Sequence, residues 1–193
     1  MRAEDVVDLY ATLLGHGVQL WLDGGWGVDA LLQERTRSHT DLDAIVAFDD
    51  LPGLTRSLSE RGFRLKEIWP ENCWVPHPEP VVLIGRQRPA LEVATAFVLT
   101  DALHTELDIH AVRFDEHGSG IPAWNSDLVF PAEAFEGQGI IANTSVRCLS
   151  AETQMRSRTG YVLQEKGVHD LRLLHERFGI DYPDEHARML STT

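Results

Sequence analysis

Val6, Leu9, Tyr10, Leu13 and Leu14 recur at the spacing of one helical face and Gly15 and Gly17 end the run, so the chain is predicted to open on an amphipathic helix. "VQLWL" reads as a buried strand. Gly24 and Gly25 interrupt it, and "WGVDALLQ" resumes an apolar helical pattern, which predicts strand, tight glycine turn and helix in succession. Asp41 to Ala47 reads as a second strand, ended by Asp49, Asp50 and Pro52. Leu51, Leu54 and Leu58 fit a helix that stops at Gly62, and "FRLKEIW" alternates as a strand should.

"PENCWVPHPEP" has four prolines in eleven residues and is expected to be an irregular loop. "VVLIG", "ALEVATAFVL" and "ELDIHAVRF" read as strands of a largely antiparallel sheet, with "DEHGSG" as a turn. Within "PAEAFEGQGIIANTSVRCL" a loop leads to a short hairpin with "ANTS" at its turn, and Ser150 then suits the N-cap of a helix. Two C-terminal helices are expected, the second with Val168, Leu171, Leu174 and Phe178 on one side and a stop at Gly179, followed by a polar tail. The pattern predicts a mixed α/β fold: a main unit over 1–149 and a helical segment over 150–193 packed on it. No repeat or low-complexity linker marks a flexible boundary.

Charge alters this picture more than bulk composition does. Asp and Glu number 30 against 17 Lys and Arg, a net −13 that argues against a broad surface for the phosphate backbone of nucleic acid. The same excess would favour small cationic ligands, although simple solubility is the better account of it. Cys73 and Cys148 lie far apart with no CxxC neighbour, which suits free thiols in a reduced, cytoplasmic compartment, and no apolar run approaches the roughly 20 residues of a bilayer span.

Candidate chemistry centres on two short stretches. Side chains two apart on a strand point the same way, so Asp41 and Asp43 present two carboxylates to one side. Water at an edge strand could relieve their repulsion. Divalent cations would do so better, because Mg²⁺ prefers oxygen ligands and commonly combines one or two carboxylates with phosphate oxygens. Just upstream, the glycine turn at Gly24 and Gly25 leaves room for close approach, and backbone N–H groups at such a turn can cradle phosphate. Asp108, between Leu107 and Ile109, is an acid on a central-looking strand that needs a partner or an ion, and His110 falls on the same face.

These residues match a known family. "WLDGGWGVDALL" followed by "TRSHTDLDAIV" resembles the glycine turn and Asp-x-Asp motif of small antibiotic nucleotidyltransferases of the polymerase-beta-like nucleotidyltransferase fold, and "LDIHAV" resembles their third-acid strand. The likeness is nearest to the lincosamide type, then the aminoglycoside 2''-type, and "VRCLSAETQMRSRTGYVLQEKGVHDLRLL" extends it through the C-terminal helices. It implies a mixed, mostly antiparallel sheet flanked by helices. It also implies transfer of a nucleoside monophosphate from an NTP, with ATP the expected donor, to a hydroxyl of a small molecule, an antibiotic above all. A biosynthetic enzyme on the same fold and a protein-targeting module are the alternatives.

Matched motif to motif, Gly24 and Gly25 would hold the triphosphate, and Asp41, Asp43 and Asp108 would bind two Mg²⁺ ions and carry the catalysis, Asp108 also as an acceptor for the hydroxyl proton. Arg37 and His39, in the "TR-x-H-x-D" arrangement, would contact phosphate. Lys166, His169 and Asp170 are further candidates for nucleotide or acceptor, with a solvated helical face as the plain alternative. Trp21, Trp26 and Trp69 suit packing, and Trp74 could stack on a ring. The implied partners are the NTP and a small acceptor, without nucleic acid or membrane, and a homodimer is compatible with the likeness. The stretch from about Asn72 to Thr105 is longer and richer in proline than the lincosamide type, and its Glu71 and Glu79 surroundings would suit an acceptor carrying protonated amines.

Overall fold

A computed structural model describes residues 1–79, 92–123, 125 and 127–190. The first helix, α1 (Ala3–Gly15), buries Val6, Leu9, Tyr10 and Leu13 as their spacing requires, and leaves Leu14 exposed. Strand β1 (Leu20–Leu22) then runs straight into α2 (Gly24–Leu32), and β2 (Asp41–Ala47) has the predicted limits. A 3-10 turn at Phe48–Asp50 leads to α3 (Leu51–Glu60), which buries Leu51, Leu54 and Leu58. Strands β3 (Arg64–Ile68), β4 (Trp74–Pro76), β5 (Glu92–Ala94), β6 (Ala96–Thr100), β7 (Glu106–Phe114) and β8 (Gly120–Pro122) follow.

Among the described residues the main sheet has six strands, in the order β1-β2-β7-β6-β3 with β8 on β7. Every neighbouring pair is antiparallel except β2 and β7, which run parallel. Alternation sorts the two faces. Leu20, Leu22, Leu42, Ala44, Val46, Leu107, Ile109 and Ala111 face the main core under α1 and α3. Leu42, Leu107 and Ile109 are fully or almost fully buried, each stabilising the fold by roughly 1.5–3 kcal/mol. Trp21, Ile45 and Val112 point the other way into a small cluster with Leu149, and this second face also carries Asp41, Asp43, Asp108 and His110.

The middle of the chain departs from expectation in three places. "ALEVATAFVL" is not one strand: β5 and β6 are separated at Thr95, because the Asn72 Oδ1 captures the backbone N–H of Thr95 at 2.7 Å and of Ala96 at 3.2 Å. "PENCWVPHPEP" is not wholly irregular, since β4 pairs antiparallel with β5 in a three-residue ribbon that ends at Pro76. The polar tail after Gly179 also contains a helix. "VVLIG" lies outside the described residues.

Strands β9 (Gln138–Ile141) and β10 (Thr144–Arg147) form the hairpin, turning at Ala142 and Asn143, both at positive φ as a tight two-residue hairpin turn requires. Ser150 caps α4 (Ala151–Arg156), its hydroxyl accepting from the Thr153 N–H at 3.4 Å. Next come α5 (Glu165–Phe178), stopped by Gly179 at φ 68, and α6 (Asp184–Leu190), where acids at the N-terminus suit the helix dipole and Leu190 is buried. Val28, Ala151, Met155, Leu171, Leu174 and Leu190 make a second core in which α2 meets the C-terminal helices. Leu22 ties the parts together, its carbonyl accepting from Leu149 N–H at 3.0 Å and Gln154 Nε2 at 3.4 Å. Among the described residues no helix is long and apolar enough to cross a membrane.

Strand β9 packs so closely on α2 that a Cβ on Gly139 would overlap the Ala30 carbonyl. Gly139→Ala is expected to destabilise the protein by about 1–3 kcal/mol through forced overpacking. Urea unfolding checks this, the midpoint falling with unchanged m-value.

Candidate functional site

The parallel register sets Asp43 directly opposite Asp108 and Asp41 opposite Glu106. Since alternate residues share a face, Asp41, Asp43 and Asp108 all open into one cavity of about 380 Å³. Its lining also includes Asp23, Gly24, Gly25, Arg37, Arg158 and Lys166. The sheet thus supplies three of the acids, and the α2 N-terminus, the loop before β2, the segment between α4 and α5, and α5 itself supply the remainder.

The glycines are needed first by the protein itself. Asp23 is the N-cap of α2, its Oδ1 accepting from the Gly24 N–H at 2.7 Å, so the helix begins at the glycines without a separate turn. Gly24 has φ +57, and a Cβ there would overlap the Asp43 carboxylate; a Cβ on Gly25 would overlap Arg37 and His39. Both glycines line the cavity, but their missing side chains are what allow Asp43 and Arg37 to approach the helix.

The cationic side is built around Asp170, which is almost fully buried in the second turn of α5. Arg37 grips it with two bonds, Nε to Oδ1 at 2.9 Å and Nη2 to Oδ2 at 2.8 Å, and Arg158 Nη2 reaches Oδ2 at 3.3 Å. This pairing raises the Arg37 pKa. Two guanidinium groups on one carboxylate leave a net positive charge against the cavity wall. Lys166, exposed at the cavity, favours the charged form of Asp43.

His39 is the correction. Its ring is buried outside the cavity lining, with Nε2 2.5 Å from Asp29 Oδ2 and the ring 4.5 Å from that of Trp26. Asp29 also accepts from the Thr36 N–H and hydroxyl, so this buried pair fixes the loop that delivers Arg37 and is itself closed off from a ligand in the cavity. His169 is exposed and lies outside the lining too. Asp170, a candidate for contact with ligand, lines the cavity and anchors two arginines there.

Trp69, expected only to pack, donates its indole N–H to Asp108 Oδ1 at 2.7 Å. His110 Nδ1 stands 3.4 Å from the same oxygen, and its Nε2 is 3.6 Å from Glu71 Oε1. Sequence reasoning missed Asp23, Arg158 and Tyr161. Asp23 carried a usable signal, an N-cap residue type directly before the helix; nothing in "MRSRTGY" singled out Arg158.

Charge crowding marks the carboxylates. Burial, then Asp41, Asp23 and Asp108, push Asp43 up to about 8, although its surface is only partly covered; dense protein around the carboxylate and three nearby acids act together. Asp108 is raised as well, chiefly by burial, with His110 and the Trp69 bond pulling against it. Such a cluster fits a divalent cation. Among the described residues no three His, Cys, Asp or Glu side chains converge to cage an ion by themselves; Mg²⁺ commonly takes one or two carboxylates and completes its shell with phosphate and water.

A family model described as aminoglycoside-2''-adenylyltransferase matches residues 5–79 and 88–174. A lincosamide resistance protein of Staphylococcus haemolyticus is 26% identical over 160 residues, covering 81% of this chain and 84% of the relative. The crystal structure of the lincosamide antibiotic adenylyltransferase LnuA with lincomycin bound superposes at TM-score 0.64 and 25% identity, over 88% of this chain and 91% of that one. That of ANT(2'')-Ia in complex with adenylyl-2''-tobramycin gives 0.62 at 19% identity, over 97% and 93%, and shows the common fold.

Raised above the ordinary carboxylate value of about 3.9, Asp43 contributes stability that is complete below that value and lost as pH rises through about 8. In chelator-treated protein the melting temperature is expected to fall between about pH 5 and about pH 8, and Asp43→Asn to flatten that fall. Scanning calorimetry across that range checks it; parallel wild-type and variant curves would contradict it.

Proposed function

The chain belongs to the aminoglycoside-2''-adenylyltransferase family of antibiotic nucleotidyltransferases, and from that premise we propose that it transfers a nucleoside monophosphate from an NTP, with ATP as donor, to a hydroxyl of a lincosamide- or aminoglycoside-type antibiotic. One observation carries the reading: Asp41, Asp43 and Asp108 open into the same cavity as Arg37, Arg158, Lys166 and the start of α2. Anionic and cationic walls face one space, as a triphosphate accompanied by cations requires. ATP is favoured because LnuA and ANT(2'')-Ia are adenylyl-transferring proteins.

Asp41, Asp43 and Asp108 would hold Mg²⁺, which when bound offsets charge on the attacking and leaving oxygens. The acceptor hydroxyl attacks the α-phosphorus in line; the new P–O bond forms as the bond to pyrophosphate breaks. Asp108 Oδ2, the oxygen not taken by Trp69, receives the hydroxyl proton. Arg37 and Arg158, held by Asp170, and Lys166 offset the charge of the departing pyrophosphate. Their bonds are formed before substrate arrives, so little reorganisation is required.

The acceptor enters from a second cavity of about 950 Å³, which meets the first at Asp23, Ile45, His110 and Ser157. Apolar Leu128, Val129 and Phe130 and acidic Glu133, Glu136 and Glu152 line it, a mixture that suits a ring system bearing protonated amines. Most of this wall comes from the chain between Leu128 and Thr159, and on this reading it, in place of the stretch around Glu71 and Glu79, would supply the acidic surroundings of the acceptor. Glu71 joins at the rim through His110.

Incubation with Mg²⁺, mixed NTPs and a panel of lincosamides and aminoglycosides is expected to give a nucleoside monophosphate adduct by mass spectrometry; no adduct on any of them would refute the reading. Asp108→Asn is expected to lower kcat by about 10²- to 10⁴-fold with the melting temperature little changed. Acceptor KM is expected to rise with added salt, since exposed charges are screened over roughly 8–10 Å near physiological ionic strength. A flat response together with efficient use of a neutral acceptor would exclude the charge-based pocket.

A further inference from the structure

We propose that Tyr161 and Val162 form the platform on which the donor's nucleobase stacks, a subsite of the first cavity that rests on the nucleotidyl-transfer reading. Both line that cavity, yet Tyr161 is 52% and Val162 91% exposed. The fold leaves this apolar surface uncovered beside a wall that is otherwise mainly charged, polar or glycine. The charged part suits phosphates, and this segment adds a flat ring next to an aliphatic side chain, which is what a base needs: every base has a π-face, and stacking on an aromatic ring tolerates any base.

The segment is anchored, so the ring is presented and not left to wander. The Gly160 N–H donates to Glu185 Oε2 at 2.9 Å, and His186 Nε2 lies 2.8 Å from the Arg158 carbonyl, both contacts coming from α6. Gly160 has φ +83, a bend that turns the chain between Arg158 and Tyr161. Arg158 precedes this bend on the Asp170 anchor and Lys166 follows on α5, so one short stretch joins the phosphate-side cations to the platform.

Two observations separate a base from the acceptor as occupant. The second cavity has neither Tyr161 nor Val162 in its lining. The Tyr161 phenol is raised in pKa by burial, against the pull of Arg158, and further by Asp23, Asp43 and Asp170, which places it within electrostatic reach of Asp43, one of the acids that would hold Mg²⁺, and of the Asp170 anchor. It stays neutral at physiological pH and adds no charge to repel the triphosphate.

Isothermal titration of the full chain in Mg²⁺ with a non-hydrolysable ATP analogue, and separately with inorganic tripolyphosphate, tests the platform. Tyr161→Ala is expected to weaken the analogue by about 5- to 150-fold, the range of base–aromatic stacking, and to leave tripolyphosphate binding unchanged. Tyr161→Phe, which keeps the ring, is expected to bind both as the wild type does. An equal loss for both ligands, or no loss for the analogue, would overturn the platform while the nucleotidyl-transfer reading stood. A wild-type protein that binds neither ligand would overturn both.

Discussion

Everything at the site depends on like charges being held together on one face of the sheet. Asp43 lies opposite Asp108 because β2 and β7 pair in parallel, and that register is enforced from the other face, where Leu42, Ala44, Leu107 and Ile109 are buried under α1 and α3. A slip of one residue would turn the leucines to the cavity and the aspartates into the core. The hydrophobic core therefore drives the acids together, and Asp43 and Asp108 are raised first by burial and then by their acidic neighbours. On the proposed reading, cations accompanying a triphosphate would relieve that repulsion.

The rest of the cavity answers this acidity with positive charge set at a distance. Arg37 and Arg158 are tied to Asp170 and cannot collapse onto the paired acids. The tie reaches back through the chain: Asp29 and His39 fix the loop that carries Arg37, and the missing side chain of Gly25 gives that loop space against α2. Trp69 and His110 restrain Asp108 at Oδ1 in a similar way, so on the proposed reading the other oxygen would serve the chemistry. Preorganised groups of this kind are worth more to a charged transition state than mobile ones, since no reorientation is needed as charge develops.

The C-terminal helices are consequently part of the site. Arg158, Tyr161, Lys166 and Asp170 all follow the hairpin, and α2 holds them in place by burying Trp26 and Ala30 in the main core and Val28 in the second. Helix α6, short and late in the chain, contributes through Glu185 and His186 to the segment beside the cavity. The second cavity is a product of the same packing, bounded by α4 on one side and the stretch after β8 on the other.

Alternation and helical spacing are local properties, and they were sufficient for α1, β2, α3, β7 and α5, for the Ser150 cap and for the placement of Asp41, Asp43 and Asp108 on strand faces. The middle of the chain was harder to read because Thr95 is broken out of its strand by Asn72, more than twenty residues away, and because β4 and β5 support each other across the proline-rich stretch. The C-terminal helix α6 was missed because its apolar residue, Leu190, has a partner only in the second core. At the site, residue type gave His39 and Asp170 the same standing as candidates for a ligand. Burial and pairing separated them, closing His39 onto Asp29 away from the cavity and making Asp170, which lines it, the anchor for two arginines. The sequence by itself determined which residues could carry charge and on which face of a strand they lay; the tertiary structure decided which charges meet, because meeting depends on strand register and helix packing between segments far apart in the chain.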